Sequence, residues 1–437
     1  MKISKRYSIV FAFTLSVLVL FPAFQLSLVW GFSGNESYEL LIIGVEAYRN
    51  RIQEFIDFKR SQGIIARYAS VEYIGANFQG SDMVERIHVF VSGEHEHSGI
   101  RYLLLVGTYE QVPTKYVYSP SPESGFADFN YKPTDWYYAV PFWQDSRTGV
   151  LMGNVPEIAV GRLPVRNEVE LDRLLSKIVN VERQPRQGLF LVFSSLNVKA
   201  EPVLNVCHTY YNVEGNLKPL SQILNSEVAY ALTFTHGSSS SIWMKNLGGE
   251  WKTLMTTEDV DEIAAAYNIH CLAACFAGAL DLEGESLGRA LAVSSNGPAL
   301  VLASSRMMEY DDAVFYFFWK YFFDSGDVGG SIVEAIRSYL SDSKVFSLQK
   351  PSFQKYNLYL TKVLYGDVSW RVENPKASVE DYSDFNFQLK DTVLNFDAAQ
   401  VADENGAQPI DLPVMFTIAV VFLCSVIKRK VYKPGSC

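Results

Sequence analysis

The chain has 437 residues, 48% hydrophobic and 14% aromatic, enough to pack one large or two medium domains and too apolar for a disordered chain. A formal net charge of −10, with no basic stripe in the central region, excludes a nucleic-acid partner. Much of the acidity is local: from Glu373 to Asp411, nine acidic and two basic residues leave −7.

Residues 1–34 read as a secretory signal peptide, with Lys2, Lys5 and Arg6 ahead of an apolar run from Ile9 to Trp30 and small residues Gly31, Ser33 and Gly34 behind it. The run is long for a signal, and an uncleaved anchor is the competing reading. Residues 40–43 form a short apolar strand, 48–62 an amphipathic segment, 64–71 a second strand, and 82–91 a helix with Ile87, Phe90 and Val91 on its apolar face. A strongly apolar strand at 101–106 stops at Gly107, followed by a strand at 154–161 and a helix at 169–182. Gln184-Pro185-Arg186-Gln187-Gly188 breaks the pattern and separates an N-terminal lobe, 35–186, from a second lobe, 187–372. There the strands are expected at 189–194, 228–234, 269–274 and 299–303, and the helices at 259–267, 286–293, 311–323 and 331–342. Strands alternating with helices give an α/β fold class with a mostly parallel sheet covered on both faces.

Beyond the second lobe, 373–409 reads as an acidic spacer and 410–427 as an apolar run, followed at once by Lys428, Arg429 and Lys430 in a basic tail, 428–437. At about 1.5 Å per residue the run reaches roughly 27 Å, enough to span a bilayer. Basic clusters at both ends put the ends in the cytoplasm and the body outside, at the cell surface. The same tail also fits a sorting signal that is cut and exchanged for another anchor.

Two strand ends carry the chemistry. Residues 228–234 lead into Phe234-Thr235-His236-Gly237-Ser238, and 267–273 lead into Ala274-Cys275-Phe276-Ala277-Gly278. If those strands are parallel neighbours, His236 and Cys275 emerge side by side at the carboxyl edge of the sheet, where open α/β folds place their ligands. An imidazole beside a thiol makes it a nucleophile, and the amides of Gly237 and Cys275 are placed to hold an oxyanion. Cys207, Cys271 and Cys275 are an odd number outside the two terminal segments, so at least one is free or pairs between chains. Whether Cys207 pairs with Cys271 is not deducible. Cys271 and His270 lie within a strand run and read as core. Glu94-His95-Glu96-His97 reads as a solvated loop in preference to a metal site, and Gly329-Gly330-Ser331 as a helix start in preference to a phosphate cradle.

With these residues in hand, the chain resembles the gingipain-type cysteine peptidases of the caspase-like clan over about residues 36–372. The match is an ordered series: residues 40–62 with Phe58-Lys59-Arg60-Ser61-Gln62-Gly63; Tyr102-Leu103-Leu104-Leu105-Val106-Gly107 with Gln111-Val112-Pro113; Thr134-Asp135-Trp136-Tyr137-Tyr138; Val160-Gly161-Arg162-Leu163; the His-Gly and Ala-Cys blocks; residues 286–291 and 297–305; and Tyr365-Gly366-Asp367-Val368-Ser369. The resemblance implies a caspase-like three-layer α/β/α fold in two lobes, a catalytic His236–Cys275 dyad, and an oxyanion hole from Gly237 and Cys275. It implies an endopeptidase acting on proteins or peptides with no cofactor in its chemistry, structural calcium being known in some relatives. Asp135 matches the carboxylate that sits in the first specificity pocket of arginine-specific relatives, with Tyr310 placed like the aromatic wall of that pocket. Glu123 and Asp128 are both candidates to orient His236, and the sequence does not choose between them. Thr235 stands where the family usually has glycine, a side chain with bulk to narrow the site. The second reading, from a different class, is a catalytically weak relative serving as a cell-surface binding or scaffold module.

Overall fold

The computed structural model describes residues 37–118, 130–141, 143, 155–194, 208–210, 220–224, 227–245, 250–308, 313–341, 359–375 and 377–378. The signal segment, the apolar tail, Cys207, Glu123, Asp128 and Tyr310 lie outside them. The strands are β1 (Leu40–Gly44), β2 (Ala66–Ser70), β3 (Tyr102–Val106), β4 (Lys115–Tyr118), β5 (Tyr131–Thr134), β6 (Ala159–Leu163), β7 (Gly188–Ser194), β8 (His208–Tyr210), β9 (Val228–Phe234), β10 (His236–Gly237), β11 (Ser241–Lys245), β12 (Trp251–Thr256), β13 (Tyr267–Ala273), β14 (Pro298–Ser304), β15 (Lys362–Tyr365) and β16 (Ala377–Ser378). The helices are α1 (Arg49–Ser61), α2 (Val71–Asn77), α3 (Met83–Ser98), α4 (Glu168–Arg183), α5 (Leu220–Ile223), α6 (Leu287–Val293), α7 (Val314–Ser325) and α8 (Val328–Ser341).

Eleven strands form one sheet, in the order β16-β7-β9-β13-β14-β15-β6-β3-β1-β2 with β8 also on β7. Every registered pairing in it is parallel except β14 with β15. β15 thereby joins the strands of the first half to those of the second. A buried three-residue cluster ties the same halves from the side: the Lys59 ammonium of α1 lies 2.9 Å from Glu182 of α4 and 2.6 Å from Asp367 after β15. Contacts divide the chain into one compact unit, Met1–Val117 with Lys132–Glu380, and a second, Tyr118–Tyr131 with Asp381–Cys437. Every described residue of the site belongs to the first.

Alternation along the central strands assigns the two faces of the sheet. Tyr230, Leu232 and Phe234 of β9, with Ile269, Cys271 and Ala273 of β13, share a core cluster with Phe318, Trp319 and Phe322 of α7 and Ile332 and Ile336 of α8. Ala231, Leu272, Val301 and Ala303 belong to a second cluster, with Leu287 and Leu291 of α6, Ile242 and Met244 of β11, and Met255 of β12. The aromatic-rich segment before Phe323 is thus core, as its composition suggests.

Some expected elements take another form. The helix expected to end at Val91 runs on to Ser98, so Glu94-His95-Glu96-His97 lies within its C-terminal end, not in a loop. Asp82 caps its start on the Glu85 amide at 2.9 Å, Gly99 ends it at φ 72°, and Glu94 is held inside by the Tyr38 hydroxyl. The helix expected at 259–267 is a single 3-10 turn, Glu258–Glu262. The Asp259 carboxylate takes both the Thr256 amide at 2.7 Å and its hydroxyl at 3.0 Å, a local turn that competes with helix. The Gly329-Gly330-Ser331 segment is a helix start, inside the first turn of α8.

Candidate active site

β9 and β13 are adjacent and parallel, and their last registered pair is Phe234 with Ala273. His236 and Cys275 each follow two residues beyond that pair. Both residues thus leave the same carboxyl edge of the sheet. Both strands are buried along all seven residues.

Past β13 the chain turns sharply. Phe276 takes φ 60°, a left-handed conformation costly for an aromatic residue, of order 1–2 kcal/mol. The turn closes on itself through the Ala279 amide to Phe276 O at 2.9 Å. It closes on the end of β14 through the Gly278 amide to Ser304 O at 2.8 Å and on the loop after β14 through the Phe276 amide to Arg306 O at 3.1 Å. Cys275 is partly exposed and, among the described residues, forms no disulfide. Its Sγ accepts a hydrogen bond from the Met308 amide at 3.4 Å. Arg306, 3% exposed, sends its side chain back to Asp281, with Nη1 2.9 Å from Oδ1 and Nη2 2.5 Å from Oδ2. Tyr116 donates to the same carboxylate at 3.0 Å.

On the other side, β10 carries His236 and Gly237 in an antiparallel sheet with β11 and β12. The His236 ring, partly exposed, packs edge-on to Trp251 with centroids 5.2 Å apart at 83°. Thr235 turns its hydroxyl to Trp243 O at 2.5 Å and is buried, so its extra bulk is spent on pinning β10 to β11. A β-carbon on Gly237 would lie 2.9 Å from that of Ala274.

The neighbouring His270 and Cys271 are structural. Burial drives the His270 imidazole down to about 3, and its two nitrogens meet the Tyr267 hydroxyl at 2.8 Å and the Thr233 hydroxyl at 2.9 Å. Burial pushes the Cys271 thiol well up, the opposite of what a nucleophile needs.

Asp135 opens a short 3-10 helix, Asp135–Ala139, after β5. Its carboxylate faces Arg162 of the same chain. Arg162 Nε lies 2.8 Å from Oδ2 and Nη2 2.7 Å from Oδ1, a bidentate pair in which Arg162 is 1% exposed. The remaining Arg162 nitrogen, Nη1, donates to Gly107 O at 2.8 Å and Val112 O at 2.9 Å. Gly161 is needed beside it, because a β-carbon there would stand 2.8 Å from Gly366 O. Among the described residues no group of three or more His, Cys, Asp or Glu side chains could hold a metal ion. Trp251, Asp281 and Arg306 escaped the sequence reading. Each is a lone residue without periodic or motif context.

The family model described as peptidase family C25 matches residues 33–373, well over half of the chain. The chain belongs to peptidase family C25, and is a gingipain-type cysteine endopeptidase with a caspase-like fold. Among solved structures, the complex of Porphyromonas gingivalis RgpB pro- and mature domains is similar with a TM-score of 0.58 and 16% identity, over 77% of this chain and 80% of that one. The Arg-specific cysteine proteinase gingipain R gives a TM-score of 0.59 and 16% identity, over 78% of this chain and 79% of that one. At such identities the likeness speaks for the fold. No curated protein matches the chain significantly.

Proposed function

We propose that Cys275 is the nucleophile and His236 its base in an exported endopeptidase held at the cell surface by its C-terminal segment. The observation that carries this is the register of β9 and β13, which sets the two residues at equal offsets past Phe234 and Ala273. His236 takes the thiol proton, and the thiolate attacks the scissile carbonyl carbon. The resulting oxyanion is held by the amides of Gly237 and Cys275. The imidazolium then gives its proton to the departing amine, leaving a thioester. Water, deprotonated by the same imidazole, attacks the thioester, releases the acid and restores the thiol. Nucleophile, base and amide donors suffice for this acyl transfer.

For the residue before the scissile bond, the block match to the arginine-specific gingipain R speaks for Arg or Lys. The Arg162 pair speaks for Asp135 as a structural counter-ion, since both oxygens are already bonded and the charge is matched. Any basic preference then comes from sharing that carboxylate, not from a free one. Export and tethering are supported by the two apolar runs and their basic flanks; among the described residues no helix is long and apolar enough to cross a membrane. The test of the chemistry is cleavage of a peptide library by the wild type and by Cys275→Ala and Cys271→Ala. Loss in the first variant alone is expected, and the reverse pattern overturns the proposal.

A further inference from the structure

Two loops meet at the Cys275 thiol, one leaving β13 and reaching Asp281, the other leaving β14 and reaching Met308. Neither is a regular element, yet one contains Phe276 at φ 60°, a conformation that persists only where surroundings impose it. Three links join the loops: Phe276 N–H to Arg306 O at 3.1 Å, Met308 N–H to Cys275 Sγ at 3.4 Å, and the Arg306 guanidinium on both Asp281 oxygens; Gly278 N–H to Ser304 O at 2.8 Å ties the first loop to the last residue of β14. Arg306 is the hub. Its carbonyl holds the residue after the nucleophile, its side chain holds the far end of the same loop, and the amide on sulfur is two residues further along its own backbone. The pair is shielded, with side-chain exposure of 4% for Arg306 and 12% for Asp281, where a bidentate bond is strong and directional.

Granted Cys275 as the nucleophile, we propose that Arg306 and Asp281 are positioning residues that hold the Met308 amide against the sulfur and Phe276 in its left-handed turn. An N–H aimed at sulfur favours the thiolate, so the pair acts on reactivity through geometry. The charged and titratable groups around it are Tyr116 on Asp281, Lys132 of β5, which feels the Arg306 charge, and Tyr109 and Tyr365, which feel Asp281. Since Arg306 and Asp281 neutralise each other, a purely electrostatic role makes the opposite prediction for Asp281→Asn. Freed of its counter-charge, Arg306 would then draw the thiol down.

The test uses the full chain. The rate of iodoacetamide alkylation at Cys275 is followed by peptide mass mapping across pH, together with kcat and KM on a peptide that the wild type cleaves. Asp281→Asn and Arg306→Gln should raise the alkylation midpoint by about one pH unit and lower kcat roughly tenfold, about 1.4 kcal/mol, with KM within about twofold. Arg306→Lys should recover part of both. An unchanged or lowered midpoint in Asp281→Asn overturns the proposal. If Arg306→Gln does not fold, Tyr116→Phe, which deletes one bond to Asp281, should shift the midpoint in the same direction by less, and no shift counts against the pair. If the wild type cleaves no peptide, the peptidase mechanism fails and the alkylation profiles alone still decide the positioning role.

Discussion

The α-carbon of Gly237 faces Ala274 so closely that a β-carbon there would lie 2.9 Å from that of Ala274, with Ser241 O at 3.1 Å and Ile242 Cγ2 at 3.2 Å. The glycine after His236 therefore rests on the residue before Cys275. The two motifs, some forty residues apart in sequence, meet through small residues, Gly237 and Ala274. Under this account the contact sets how near imidazole and thiol come, and an added methyl would separate them.

Gly237→Ala should accordingly lower kcat/KM at least tenfold, about 1.4 kcal/mol, while overpacking costs no more than about 1–3 kcal/mol of stability. Steady-state kinetics beside thermal melts check this. Wild-type kinetics in the variant would show that the contact does not set the site.

Asp135 is expected to matter for folding before it matters for specificity. Asp135→Asn leaves the Arg162 charge buried with half of its bidentate partner, a change worth about 3–5 kcal/mol. Urea denaturation should show that loss. The double variant Asp135→Asn with Arg162→Met should be less destabilised than the two single changes added together. A single variant within about 0.5 kcal/mol of wild type would argue that the pair is not the main role of this carboxylate.

His270 makes stability depend on pH in a defined window. Its ordinary value of 6.5 applies to the unfolded chain, and burial lowers it to about 3 in the fold. Between those values the unfolded state binds the extra proton, so stability is full above pH 6.5 and falls as the pH drops toward 3, by at most about 1.4 kcal/mol per pH unit. His270→Gln keeps polar atoms for Tyr267 and Thr233 and should flatten the slope between pH 6.5 and 4 relative to wild type. Parallel slopes in urea titrations at several pH values would assign the acid sensitivity elsewhere.

Truncation after Pro409 removes the apolar run and its basic flank while leaving the family-matched region, 33–373, and the β16–β7 pairing intact. Fractionation of cells should find the truncated protein released and active. A membrane-bound truncated chain with a mature N-terminus would show that the tail is not the anchor.

The site-bearing strands were legible because β9 and β13 are seven-residue runs that stop at small residues, and burial on both faces enforces such a pattern. β15 was not. It is four residues long and begins with Lys362, whose ammonium is buried and donates to the Ser304 hydroxyl at 2.9 Å. A lysine at a strand start reads as solvated until its partner is known. The same holds for the paired charges. Asp135 with Arg162, and Asp281 with Arg306, are each about 25 residues apart in sequence, and nothing local to either residue announces the other. The His-rich end of α3 misled for a related reason, since Glu94 looks solvated in sequence but is buried on Tyr38.

The most direct test of the central claim is to treat the full chain with a peptidyl acyloxymethyl ketone, a thiol-directed probe, and map the adduct by mass spectrometry. A single modified residue, Cys275, is expected, with labelling abolished in Cys275→Ala and slowed at least a hundredfold in His236→Ala, within the range of roughly 10²–10⁴ that a positioned base contributes. Labelling of Cys271, or labelling of Cys275 that is indifferent to His236, would contradict it.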